Sequence, residues 1–193
     1  EIYQCDWSSD VCSSDLLPQE GVLAVLQAGP AAAPDGGIIL KMAAGVQMVA
    51  QTLNPLPARP GVTPTPRIEM LGEADAPEMF TLARMTEPGP FEPRTHELGT
   101  FWGVKIDGRL AAMAGERMQC EGFTEVSGVC THPDFRGRGL AAALSLHVAD
   151  LILQRGETPF LHSYASNAAA ISVYRTLGFV ERIGVEVTMI GRS

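Results

Sequence analysis

The chain has little cysteine, no excess of basic residues and no long apolar run. Four cysteines in 193 residues cannot make the disulfide framework of a small secreted domain. Closely spaced Cys/His pairs are missing as well, so no metal site is expected. With 14 Lys+Arg against 22 Asp+Glu and a formal net charge of -8, a basic stripe for nucleic acid is not expected. Asp35 and Lys41 break the best apolar stretch well short of the roughly 18 residues a membrane span takes. The first residues lack the basic start and apolar stretch of a signal peptide. These absences predict a soluble, cytoplasmic protein without membrane contact, long enough to bury a core without staples.

Residues 1–16 stand apart. Ser8-Ser9-Asp10-Val11 and Ser13-Ser14-Asp15-Leu16 form a small tandem repeat, and Asp10 to Leu16 coincides with one reading frame of a common short-read sequencing adapter. The segment reads as an adapter artefact; a disordered polar tail is the alternative. It carries Glu1, Asp6, Asp10 and Asp15 with no Lys or Arg, so it supplies -4 of the -8. Cys5 and Cys12 go with it. Cys120 and Cys130 remain, each alone in an apolar stretch, and are expected to be buried free thiols.

Five prolines in residues 54–66 predict a stiff extended linker. Before it, residues 17–53 hold strand-like runs at Val22–Leu26 and Ile38–Met42 and another near Val46–Val49. So short a segment buries little alone, and it reads as a truncated N-terminal remnant; a small extension packed on the main domain is the alternative. Residues 67–193 are better patterned. Arg67–Leu71 reads as a strand, and Ala76, Met79, Phe80, Ala83 and Met85 mark a helix over about 73–85. Asp107-Gly108 is a hairpin signal between strands 99–106 and 109–118, and Glu121-Gly122 turns into a third strand, 123–131. A helix over 140–155 with a stripe of Leu140, Leu144, Val148 and Leu151 follows, then a strand over 159–164. A second helix is capped by Ser166 or Asn167 and ends at Gly178, before a last strand over 179–190. This order predicts an α/β fold with a mixed, mostly antiparallel sheet.

The stretch from Arg136 to Ala141 carries the clearest chemistry. A strand running through a glycine turn into a helix N-terminus makes an anion site, because the first helical N–H groups lack internal acceptors. Gly137 and Gly139 allow close backbone approach, and Arg136 and Arg138 add phosphate donors. No Lys-Ser or Lys-Thr follows the glycines, which excludes a Walker A loop. The loose dinucleotide fingerprint over 137–142 lacks the acidic residue at the end of the next strand, and the preceding strands read as hairpins.

Val129-Cys130-Thr131-His132-Pro133-Asp134-Phe135-Arg136-Gly137-Arg138-Gly139-Leu140-Ala141 resembles motif A of the GNAT superfamily of N-acetyltransferases, with Arg136, Gly139 and Ala141 meeting its Gln/Arg-x-x-Gly-x-Gly/Ala pattern. Asn167 to Phe179, ending Tyr174-Arg175-Thr176-Leu177-Gly178-Phe179, is similar to motif B. Two motifs in the right order and spacing make a match that extends over roughly residues 67–193, and the His-Pro-x-x-Arg-Gly-x-Gly form most resembles the glycine-N-acyltransferase-like branch. The resemblance implies helices on both faces of the sheet and acetyl-CoA as cosubstrate. The amides of 137–141 would hold its pyrophosphate, and strand residues Val129, Cys130 and Thr131 would pair with its pantetheine where strands 123–131 and 159–164 splay apart. Asn167 would contact the pantetheine arm, and Tyr174 would protonate the departing thiolate. Seven residues of helix put those two on one face.

Each role has a plain structural alternative. Tyr174 could be a core tyrosine, Asn167 a cap, Arg138 a solvated charge; His132, in its turn, reads as structural. The resemblance implies Glu125 as general base, with Glu116 the second candidate; the alternative is that either Glu holds a buried polar network or faces solvent. Strand alternation puts Glu125, Ser127, Val129 and Thr131 on one face. The acceptor is a small-molecule or peptide amine, met in residues 86–98 by Arg94, Thr95, His96 and Glu97. Direct attack on the thioester through a tetrahedral intermediate is the expected reaction. A catalytically silent CoA-binding regulatory module and a non-functional fragment are the competing readings. A homodimer is compatible with all of them.

Overall fold

The computed structural model describes residue 18, residues 21–56 and residues 66–192. The expected tail over 1–16 and residues 57–65 of the expected linker lie outside the described residues.

Among the described residues, eight strands form one sheet: β1 (Leu23–Gln27), β2 (Gly37–Val49), β3 (Glu69–Leu71), β4 (Phe101–Ile106), β5 (Arg109–Cys120), β6 (Phe123–Thr131), β7 (Thr158–Tyr164) and β8 (Val180–Arg192). The α-helices among the described residues are α1 (Ala76–Thr86), α2 (Leu140–Gln154) and α3 (Ala168–Thr176). The spatial order is β1-β8-β2-β7-β6-β5-β4-β3, antiparallel throughout except for β6 with β7. Asp107 and Gly108 both take positive φ, 52° and 74°, which is the twist a two-residue hairpin needs between β4 and β5.

The segment before the prolines is built into this sheet. The two runs at Ile38–Met42 and Val46–Val49 are one strand, β2, irregular in register near Leu40 and lying between β7 and β8. β1 pairs with β8 on the outer edge. The residues on either side of 54–66 therefore share one sheet, and no division between sheets falls there.

The two faces have separate cores. Met79, Leu82 and Ala83 of α1 pack with Leu71, Phe101, Leu110, Met113 and Cys130. Leu140, Leu144, Val148, Ala149 and Ile152 of α2 pack with Val104, Ala112, Ala114 and Val126, joined by Ile171, Tyr174 and Leu177 at α3. The buried stripe of α2 closes on Ile152, with Leu151 only half-buried, and on α1 Met85 is exposed while Leu82 is buried. Cys130 is buried as expected, but Cys120 is exposed, because it ends β5 at the turn into β6.

The expected alternation along β6 is broken. Met113 and Gly115 of β5 pair with Cys130 and Ser127, so β6 carries one extra residue there, a β-bulge, with Gly128 at φ 61°. Ser127 lies opposite Gly115, on the α1 side where a side chain would meet Phe101, whereas Thr131 lies opposite Ala112 in the α2-side core. Glu125 and Ser127 thus face one side of the sheet, and Val129 and Thr131 the other. The bulge re-aims the end of β6.

Candidate active site

The parallel ladder of β6 and β7 runs from Phe123–Thr158 to Glu125–Phe160 and goes no further. Beyond it β7 stays with β2 as far as Tyr164, and β6 stays with β5 as far as Thr131. The expected slot between these strands is therefore present, and a cavity of about 600 Å³ opens along it.

The glycine loop forms one wall. His132 starts it, its Nδ1 accepting the Asp134 N–H at 3.2 Å ahead of a 3-10 turn over Pro133–Phe135. That is the structural role expected of it. Gly137 and Gly139 both have φ 78°, and Gly139 is the N-cap of α2, so the loop folds back tightly onto the helix start. Arg136, Gly137, Gly139, Leu140 and Ala141 line the cavity together with Val129, Cys130 and Thr131 of β6. Arg138 does not; its guanidinium sits 5.1 Å from the Phe135 ring centre. Two hydroxyls on this wall, Thr131 Oγ1 and Ser145 Oγ, are buried without a hydrogen-bond partner. The space beside Gly137 is open, with nothing within 4 Å of where a Cβ would stand.

Helix α3 forms the facing wall. Asn167 caps it, its Oδ1 accepting the Ala170 N–H at 3.2 Å, and also lines the cavity. The Tyr-x-x-Leu-Gly-Phe ending has a physical origin. The Tyr174 carbonyl accepts from the N–H groups of both Leu177 and Phe179, while Gly178 takes φ 102° and lies against Thr52, where a Cβ would be 2.6 Å from the carbonyl oxygen. Tyr174 is buried and borders the cavity. Burial first, then the nearby Cys130 and Glu125, push its phenol up to about 12. The Cys130 thiol is likewise pushed up to about 12 by burial, against hydrogen bonding from Thr86 and the Met113 backbone. It is a thiol, not a thiolate nucleophile.

Glu125 sits at the apex of the slot, its side chain 1% exposed, and does not border the cavity. Arg117 Nε and Nη2 donate to its Oε2 and Oε1 at 3.0 and 3.1 Å, and His162 Nδ1 lies 2.8 Å from Oε1. Burial alone would raise its pKa; the Arg117 charge and the hydrogen bonds from His162 and Arg117 outweigh that and hold the carboxyl below the usual range. Glu116 points to the opposite face, where Arg155 donates to both of its oxygens at 2.9 and 3.0 Å. It locks the end of α2 and does not line the cavity. His162 and Arg117, which sequence reasoning missed, both line it. The signal available for His162 was slight: an ionisable residue in the apolar run of β7. Arg117 gave none, because its meeting with Glu125 depends on a second register shift, between Glu116 and Gln119.

The acceptor side is shorter than expected. Thr86, Glu87, Pro88, Gly89 and Pro90 border the cavity. Arg94, Thr95, His96 and Glu97 do not: Arg94 pairs with Glu97, His96 with Glu73, and the Thr95 hydroxyl accepts the Glu92 N–H. Glu87 is left as the acidic group at the mouth, in a left-handed conformation at φ 48°.

A family model described as FR47-like protein matches residues 103–188. The chain is 32% identical over 120 residues to the ribosomal protein bS18-alanine N-acetyltransferase of Salmonella typhimurium, an overlap of 59% of this chain and 80% of that one. The Escherichia coli counterpart is 30% identical over the same shares. Among solved structures, a putative acetyltransferase from the GNAT family of Novosphingobium aromaticivorans superposes with a TM-score of 0.82 at 47% identity, covering 93% of this chain and 78% of that one. The crystal structure of the Escherichia coli ribosomal-protein-alanine N-acetyltransferase gives 0.55 at 25% identity, covering 66% and 94%.

Proposed function

The chain belongs to the GNAT family of N-acetyltransferases, and on that premise we propose that it transfers the acetyl group of acetyl-CoA to the terminal amine of a peptide or protein. The observation that carries this is the cavity itself. It sets the glycine loop and the freed edge of β6 against Asn167 and Tyr174 around one space. The residues fit the cosubstrate: the buried, unpartnered hydroxyls of Thr131 and Ser145 suit a polar chain laid along that wall, and the open side of Gly137 suits a diphosphate.

In this reading the first-turn amides of α2 and the loop over 137–141 hold the diphosphate, and Arg136 adds charge. The edge of β6 at Val129, Cys130 and Thr131 orients the pantetheine, with Asn167 across the slot. Acetyl-CoA supplies a thioester whose carbonyl carbon accepts the amine. Tyr174, kept protonated by its high pKa, donates to the departing sulfur. Glu125, expected as the base, contributes from behind the cavity wall. Because the Cys130 thiol stays protonated, the amine attacks directly with no acetylated cysteine between.

The matched relatives act on an alanine of a ribosomal protein, which favours an alanine-initiated peptide over the acceptor of a glycine-N-acyltransferase-like enzyme. Glu87 at the mouth suits a cationic chain approaching there. The test is a thermal-shift titration with acetyl-CoA, NADH serving as control, followed by thiol release with alanine-initiated peptides. Ligand at a hundredfold its Kd should stabilise the fold by about 2.7 kcal/mol. No shift with acetyl-CoA at saturation defeats the proposal.

A further inference from the structure

A chain of hydrogen bonds crosses five neighbouring strands where β6 and β7 part. Arg182 Nη1 of β8 donates to Gln47 Oε1 of β2 at 2.7 Å, which turns the Gln47 amide nitrogen toward β7. That nitrogen lies 3.1 Å from His162 Nε2. An amide nitrogen can only donate, so Nε2 accepts, and the neutral imidazole carries its proton on Nδ1. Nδ1–H then donates to Glu125 Oε1 at 2.8 Å, and Arg117 closes the far end on both Glu125 oxygens. Both neighbours agree on the tautomer, since an ionised carboxylate can only accept from Nδ1 and the Gln47 amide nitrogen can only donate to Nε2.

The carboxylate and the ring are not equivalent in access. Glu125 has both oxygens occupied and stands behind the wall, whereas His162, its side chain 11% exposed, borders the cavity. A carboxylate behind an imidazole holds the ring's tautomer and stabilises the imidazolium once a proton arrives. We propose that His162 Nε2 takes the proton of the acceptor amine, and that Glu125 is a positioning residue acting through Nδ1. This rests on the acetyl-transfer reading above. The amine nitrogen bonds to the thioester carbonyl carbon and the carbon–sulfur bond breaks. The amine proton passes to Nε2 and the Tyr174 proton to the sulfur. Return of the first proton to the tyrosinate, directly or through water, restores both groups. Gln47 holds Nε2 until the amine takes its place, a displacement of one neutral hydrogen bond.

The experiment compares two breaks in the same chain, using full-length protein, acetyl-CoA and an alanine-initiated peptide. His162→Gln should lower kcat by about 100-fold or more, the scale of general-base catalysis, with the Kd for acetyl-CoA unchanged. Gln47→Met, one strand away, breaks the chain but frees Nε2, and should leave kcat within about threefold of wild type, the effect of a single weak hydrogen bond. Equal losses in the two variants of an active enzyme would make the chain a structural staple and overturn the role of His162 alone. A wild type inactive on every amine overturns the acetyl-transfer reading and this proposal with it. Nitrogen NMR of the ring decides independently: an Nδ1–H tautomer is expected, and an Nε2–H tautomer would overturn the proposal whatever the turnover.

Discussion

Replacing Gly128 by alanine tests whether the β6 bulge is built as described. Gly128 has φ 61°, where a β-carbon clashes with the backbone at roughly 1–2 kcal/mol. The added methyl would also stand 2.8 Å from Phe101 Cε1 and 3.5 Å from Phe91 Cε2, in a core with its phenylalanines already in edge-to-face contact. Overpacking of that kind costs about 1–3 kcal/mol, so Gly128→Ala should lose about 2–5 kcal/mol in all. With a urea dependence of about 2 kcal/mol per molar, the unfolding midpoint drops by about 1–2.5 M at unchanged slope. Gly137→Ala is the control. Its φ of 78° exacts the same backbone strain, but nothing stands within 4 Å of the new methyl. The difference between the two midpoints isolates the packing against Phe101. Equal losses would refute the reasoning, since they would mean that β6 does not turn its backbone toward that ring.

Tyr174→Phe should lower kcat by about 100-fold while leaving acetyl-CoA affinity intact, and an unchanged kcat would remove Tyr174 from the chemistry. His96 has its pKa raised by its hydrogen bond to Glu73, against partial burial and with further help from the Pro93 carbonyl. A raised folded-state pKa stabilises below the ordinary histidine value and is lost as pH rises through the raised one. The stability gap between wild type and Glu73→Gln, measured by urea titration, should therefore shrink on going from mildly acid to basic buffer. A gap that widens contradicts the pairing. Arg155→Met strands the buried Glu116 carboxylate; because Arg155 is 43% exposed, the loss should be about 1–3 kcal/mol, and adding Glu116→Gln should recover part of it. A double variant no more stable than Arg155→Met argues that the pair is not the lock on α2.

What the sequence made legible was local. The loop over 136–141, the Asp107-Gly108 hairpin, the Asn167 cap and the Gly178 stop each depend on a few consecutive residues, and each is found in place. The slot followed from a family resemblance rather than from periodicity. Long-range pairing was not legible. Nothing local to Ile38–Val49 says that it enters the sheet between β7 and β8, so it read as a remnant. Gly128 did carry a signal, since an isolated glycine in a strand suggests a bulge, and ignoring it put Val129 and Thr131 on the wrong face. Glu125 was singled out by its position on β6, but the partners that surround its carboxylate, Arg117 and His162, are brought to it only by the assembled sheet.

The place of β2 also bears on how the protein reaches its fold. Gln47 is separated by 115 residues from His162 and by 135 from Arg182, so β2 is synthesised long before either neighbouring strand exists. Contacts of such high sequence separation form late and slow folding. In the interval β2 is an unpaired strand rich in Ile38, Ile39, Leu40 and Met42, a template for pairing with other chains. Refolding yield should accordingly fall with protein concentration. The sheet closes only when its last strand, β8, arrives, and a chain interrupted before Val180 would leave uncovered the edge of the strand that joins its two halves.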